Sequence, residues 1–273
     1  MSNKNIKGIF IEKIGRGHPV IVSTGGPKAC GNVWRNKLKP LSEFSNVIFW
    51  DYRGCGKSAL SETYSMNQDL NDLNQIVESL EVSPILLGHS YGGMLIQKYA
   101  LKYPDKVSGL ALVNTISSSK VYAKVNIEKQ ANLKSLNLLD EWSYLGDLAS
   151  KRESTPKEEM RYWEIELNNH LYDKSYIQYV LKNMEVNFDA LMQMQSDISI
   201  FSTVNELTSI SIPTLIIAGK HDYIVLDEPR KISEMIKNST YVEFEKSGHM
   251  PFVEETQKFS DVVKNWMNSL KLD

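Results

Sequence analysis

Strand-like apolar runs recur along this chain, at Gly8 to Glu12, Pro19 to Ser23, Val47 to Trp50, Ile85 to Leu87, Gly109 to Val113, Thr214 to Ala218 and Tyr241 to Phe244. Most are apolar at nearly every position, whereas a strand with one wet face would alternate apolar and polar residues. Strands buried on both faces belong to a parallel sheet with helices packed above and below it. The segments between them supply those helices. Ser65 to Leu80 places Met66, Leu70, Leu73, Ile76, Val77 and Leu80 at helical spacing behind a Ser65/Gln68 capping box. Phe259, Val262, Val263, Trp266, Met267 and Leu270 make the last helix. The expected fold class is α/β.

The alternation of strand and helix holds to about residue 115 and resumes at about 212. From about Ser118 to Asn205 the chain is rich in Asn, Lys, Glu, Met and Tyr and shows no strand-like run. We therefore expect a core built from residues 1–117 and 206–273 and an inserted helical cap over 118–205. The insert follows the strand ending at Val113, so it should cover the C-terminal edge of the sheet, where open α/β sheets place their sites.

A net charge of -2, with 42% hydrophobic and 23% charged residues, argues against a nucleic-acid or anionic-membrane surface and fits small neutral substrates better. The first residues lack the apolar core of a signal peptide and no run of 18 apolar residues occurs, so a cytoplasmic protein is expected. Cys30 and Cys55 have neither C-x-x-C spacing nor a companion histidine cluster. Free thiols, no metal site and no cofactor are the expectation.

The chemistry centres on Gly88-His89-Ser90-Tyr91-Gly92, where the strand ending at Leu87 turns directly into a helix that stops at Pro104. A serine at so sharp a turn has its hydroxyl exposed, and the flanking glycines let the backbone fold that tightly. Serine is a weak nucleophile until a base takes its proton and an acid orients the base. Of the histidines, His89 is too close to Ser90 along the turn, His18 precedes a strand, His170 falls in the cap and His221 points away from Asp222, which follows it. That leaves His249, in a loop after the last strand. Asp222, in the loop after Thr214 to Ala218, is the expected acid, with Asp227 as runner-up; the order Ser, Asp, His is the one this elbow uses. The oxyanion of a tetrahedral intermediate needs backbone N–H donors. Tyr91 should give one and Gly26 the other, with Gly25 as the alternative. Asp51-Tyr52-Arg53-Gly54-Cys55-Gly56-Lys57-Ser58 ends like a phosphate-binding loop but has Asp51 where that loop needs its first glycine. Arg53 and Asp51 are expected to brace the loop instead.

Thr24-Gly25-Gly26-Pro27, the run from Asp51 to Ser58, and Gly88-His89-Ser90-Tyr91-Gly92-Gly93 together resemble H-G-G-P-G, D-Q-R-G-x-G-x-S and G-x-S-x-G-G of the α/β-hydrolases, in their prolyl aminopeptidase branch. The resemblance implies an α/β-hydrolase fold, a mostly parallel sheet with an inserted helical cap, and an aminopeptidase that releases an N-terminal residue, proline preferred. It also implies two acidic cap residues that bind the substrate's amino group, for which Glu164 and Asp197 are the similar positions. Thr24 replaces the loop histidine, Lys28 replaces the last loop glycine, and the cap lacks the Gly-Pro before its acid. A small-molecule carboxylesterase, lactonase or thioesterase is the alternative, since an ester substrate needs no ammonium grip. A ligand-binding receptor on the same fold would not need all of Ser90, Asp222 and His249, a lyase would use them as a simple acid-base device, and haloalkane dehalogenation would need a carboxylate at position 90.

Overall fold

A computed structural model of the protein describes residues 2–26 and 28–272; Pro27 of the Thr24-Gly25-Gly26-Pro27 motif lies outside them. The strands are β1 (Ser2–Ile6), β2 (Ile9–Gly15), β3 (Pro19–Ser23), β4 (Ala29–Gly31), β5 (Asn46–Trp50), β6 (Ile85–His89), β7 (Gly109–Val113), β8 (Met184–Val186), β9 (Thr214–Gly219) and β10 (Ser239–Phe244). Eight of them form one sheet in the order β1-β2-β5-β3-β6-β7-β9-β10. From β5 to β10 every neighbouring pair is parallel, while β1–β2 and β2–β5 are antiparallel.

The alternation of side chains along each strand explains the uniformly apolar runs. Ile21, Ile48, Leu86, Leu110 and Ile216 face one side of the sheet, where they pack with Leu70, Leu73, Leu95 and Tyr99. Val20, Val22, Val47, Leu87, Ala111 and Ile217 face the other and pack with Val33, Trp34, Phe259 and Val263. Each such valine, leucine or isoleucine gains roughly 1.5–3 kcal/mol on leaving water. The first side is covered by helices α2 (Met66–Glu78) and α3 (Tyr91–Lys102), with α1 (Asn32–Leu38) on the second. Ser65 caps α2 by accepting a hydrogen bond from the Gln68 N–H at 3.2 Å, but the Gln68 amide turns to Ser61, so only half of the expected capping box forms.

Between β7 and β9 lie α4 (Tyr122–Ser135), α5 (Leu139–Ser150), α6 (Pro156–His170), α7 (Ile177–Asn183) and α8 (Phe188–Ser199). This segment is not free of strands as the sequence suggested: β8 lies within it and pairs antiparallel with β4, tying the insert to the loop after β3. β1 was also unforeseen, because its five residues are mostly polar and exposed and its place is set by backbone pairing to β2. Helices α9 (Glu228–Met235), α10 (Pro251–Glu254) and α11 (Thr256–Ser269) complete the chain. Among the described residues no helix is long and apolar enough to cross a membrane.

Arg53 and Asp51 brace the loop after β5 as expected. Arg53 donates to both carboxylate oxygens of Asp72 at 2.8 and 3.1 Å, and Asp51 accepts from Arg35 at 2.6 Å and from the Lys57 N–H at 3.0 Å.

Candidate active site

Ser90 is the one residue between β6 and α3, and its backbone sits at φ 52°, ψ -116°, a region that residues with a side chain avoid. The strain is held from several directions. The Ser90 N–H donates to the Val113 carbonyl at 2.9 Å, and its own carbonyl accepts from Thr115 Oγ1 at 2.7 Å and from the Gly93 N–H at 2.9 Å. Glycine is required around it because a Cβ on Gly88 would collide with Gly92, and one on Gly92 with the Ser23 carbonyl.

His249 sits in the loop after β10 with its ring buried. Its Nδ1–H donates to Asp222 Oδ2 at 2.8 Å, which leaves Nε2 as the free, basic nitrogen. Asp222 follows β9. Its Oδ2 also accepts from Asn114 Nδ2 at 2.5 Å, and its Oδ1 accepts from the Ile224 N–H at 2.6 Å. Burial pushes the Asp222 carboxyl up, but the His249 ring, the Asn114 amide and the Ile224 N–H outweigh it and hold the group below its ordinary value, as an ionised acceptor.

Asn114 was not foreseen. It occupies the left-handed region, φ 43°, just past β7, and also donates to the Gly248 carbonyl at 3.1 Å while accepting from the Gly219 N–H at 3.2 Å. It therefore joins the ends of β7 and β9 to the His249 loop. An asparagine directly after a buried strand is the only local signal, since its partners are more than 100 residues away in sequence.

His89 has a structural place. Trp34 Nε1–H donates to its Nδ1 at 3.3 Å, so Nε2 carries the proton and donates to the His249 carbonyl at 2.8 Å. Burial, reinforced by the nearby His249, drives His89 well below the usual histidine value and keeps it neutral. His170, at the end of α6, donates from Nδ1 to the Glu166 carbonyl at 2.9 Å and accepts the His249 N–H on its own carbonyl at 2.5 Å. Burial first, and then His249, lowers it to about 4.

Ser90 and His249 open onto one cavity of about 80 Å³, lined also by Gly25, Gly26, Trp34, Trp163, Leu167, His170, Met184, Ile224 and Met250. Gly25 runs close to the serine: a Cβ there would overlap the His89 ring and lie 3.1 Å from Ser90 Cβ. Tyr91 follows Ser90 as the first residue of α3.

The remaining sequence candidates lie elsewhere. Glu164 is on α6 beside Trp163, but its carboxylate accepts from Arg161 Nη1 and Gln178 Nε2, each at 2.8 Å, and it does not line the cavity. Asp197, on α8, accepts from the Met66 N–H at 2.6 Å and so sits over the start of α2. Asp227 is exposed and pairs with Lys231 at 3.3 Å. Cys30 and Cys55 are free and buried.

A family model described as alpha/beta hydrolase fold matches residues 18–256. The proline iminopeptidase of Saccharolobus solfataricus is 27% identical over 281 residues, covering 94% of this chain and 86% of that protein. The proline iminopeptidase of Lactobacillus acidophilus is 25% identical over 277 residues, covering 92% and 90%. Among solved structures, an alpha/beta fold family hydrolase from Bacillus anthracis superposes with a TM-score of 0.79 at 23% identity, covering 97% of this chain and 99% of that one.

Proposed function

Since the chain belongs to the alpha/beta hydrolase fold family, we propose that it is an aminopeptidase-like serine hydrolase in which Ser90 is the nucleophile, His249 the base and Asp222 the acid that orients His249. The observation that carries this reading is the 2.8 Å His249–Asp222 hydrogen bond, with His249 and Ser90 on the same cavity. Ser90 Oγ attacks the substrate carbonyl as His249 Nε2 takes its proton. The negative oxygen that forms is held by the N–H groups of Gly26, or Gly25, and of Tyr91. Collapse of this intermediate expels the leaving amine, which takes the proton from His249. Water activated by His249 then attacks the acyl-enzyme and releases the acyl group through a second tetrahedral intermediate.

The relatives named proline iminopeptidase support an N-terminal residue as the acyl part, with proline preferred. The cavity supports a small one: about 80 Å³ is far below the roughly 300 Å³ at which pockets begin to take drug-sized ligands. The segment 118–205, which contributes Trp163, Leu167, His170 and Met184, acts as the cap and opens to admit a peptide.

One observation favours a second reading, a carboxylesterase, lactonase or thioesterase acting on a small acyl group. No carboxylate lines the cavity among the described residues, and both Glu164 and Asp197 are engaged with other partners. An ammonium brought under the cap needs a counter-charge; an ester does not. Turnover of prolyl-p-nitroanilide against p-nitrophenyl acetate separates the two. The peptidase reading expects the anilide to be cleaved, and more slowly in Glu164→Gln or Asp197→Asn if these acids turn inward on binding. Cleavage of the ester alone selects the second reading, and cleavage of neither contradicts both.

A further inference from the structure

A fully buried ion pair lies behind the candidate oxyanion hole. Lys28 Nζ donates to Asp69 Oδ1 at 2.5 Å, and both side chains are completely shielded from solvent. The other carboxylate oxygen, Asp69 Oδ2, accepts from the Tyr91 hydroxyl at 2.7 Å. Tyr52, Tyr64 and Tyr91 complete the enclosure: the Lys28 ammonium lies 5.4 and 5.2 Å from the Tyr52 and Tyr64 ring centres, and the Tyr52 and Tyr91 rings meet edge to face at 5.8 Å.

The position of each partner gives the cluster its meaning. Lys28 belongs to the loop after β3 that carries Gly25 and Gly26. Tyr91 carries the other candidate N–H donor and directly follows Ser90. Asp69 stands on α2, outside both. One carboxylate thus holds the two backbone segments that must face each other across a developing negative oxygen. The loop has further tethers: Tyr52 OH donates to the Thr24 carbonyl at 3.1 Å, and the Lys28 carbonyl accepts from the Asn187 N–H at 3.1 Å, at the junction of β8 and α8.

Stability alone is a poor reason for this arrangement. A buried ion pair often contributes no more than well-packed apolar residues of the same size. Lys28 also sits at φ 61°, where a residue with a side chain is strained and a glycine is not. Two local costs are thus kept at one position of this loop.

We propose that Lys28, Asp69 and the Tyr91 hydroxyl form a positioning clamp that fixes the spacing of the two oxyanion donors, so that the clamp acts on kcat and not on substrate binding. The proposal rests on the reading of Ser90 as nucleophile, and none of the three side chains lines the cavity.

The test uses the full-length protein and whichever chromogenic substrate the wild type turns over, with active sites counted by fluorophosphonate titration so that unfolded protein drops out of kcat. Lys28→Met with Asp69→Asn replaces the pair by neutral groups of similar size and leaves an amide carbonyl on α2 able to accept from Tyr91. Tyr91→Phe removes one hydroxyl and leaves the ion pair. The clamp predicts at least a tenfold fall in kcat per titrated site in the double variant and a fall of about threefold or more in Tyr91→Phe, with KM within twofold in each; misplacing a reacting group by about 1 Å can cost roughly a hundredfold. A wild-type kcat in either variant, or a loss confined to KM, overturns the proposal. Ser90→Ala is run beside them. If it keeps turnover, the nucleophile reading fails and takes the clamp with it; if turnover depends on Ser90 yet ignores both variants, only the clamp is lost.

Discussion

Asp222 receives hydrogen bonds from the His249 ring, the Asn114 amide and the Ile224 and Val225 N–H groups, and so has no freedom to turn away from His249. Of these donors Asn114 is the one side chain that can be removed without touching a proposed catalytic residue. Asn114→Ala should lower kcat by roughly 10- to 100-fold, the value of one hydrogen bond to a charged group at about 1.5–3 kcal/mol, while the protein stays folded; steady-state kinetics beside circular dichroism check both halves. The meeting of Ser90, Asp222 and His249 could be read from the sequence because each sits in a loop that follows a strand-like run, a local pattern. Asn114 was not, because its role exists only once the ends of β7 and β9 and the His249 loop meet. The acids Glu164 and Asp197 do not reach the cavity for a related reason. Residue spacing puts Glu164 on α6, but does not fix the rotation of that helix, which turns Trp163 and Leu167 inward and leaves Glu164 to Arg161.

Among elements, the strands that carry an apolar run were legible, half-buried β2 and β10 included, and the polar or very short ones were not. β3, β6, β7 and β9 announce themselves by composition, whereas polar β1 and three-residue β4 and β8 are held by pairing and leave no periodic trace. The strand-to-helix elbow is an element with little tolerance. At Gly92 even a methyl group would run into the Ser23 carbonyl, which is backbone and cannot swing aside. Gly92→Ala should destabilise the protein by about 1–3 kcal/mol, the usual range for forcing extra volume into a packed site, read as a lower urea midpoint with an unchanged slope. A midpoint equal to wild type would mean that the elbow has slack the contacts do not suggest.

At the scale of the whole molecule, keeping the buried His89 and the half-buried His170 as neutral rings links folding to pH. Both have folded values below the unfolded one of about 6.5, His170 at about 4. Below about pH 6.5 the unfolded chain therefore takes up protons that the folded chain refuses, and stability must fall as pH drops from 6.5 towards 4. Asp222, held below its ordinary value, adds to the loss at the acid end of that window, where the unfolded chain's carboxyl takes up a proton first. Urea midpoints at pH 7.5, 6 and 5 should decline steadily, by up to about 1.4 kcal/mol per pH unit for each ring engaged, and His170→Gln should flatten the slope; a profile level down to pH 5 would contradict neutral burial of these rings. The proposed function rests on the strained Ser90 as the nucleophile. The most direct measurement is reaction of the intact protein with a fluorophosphonate, followed by peptide mass mapping. One adduct is expected, located on Ser90, absent in Ser90→Ala and formed much more slowly in His249→Ala. An unlabelled wild type, or an adduct on any other residue, would contradict the role given to Ser90.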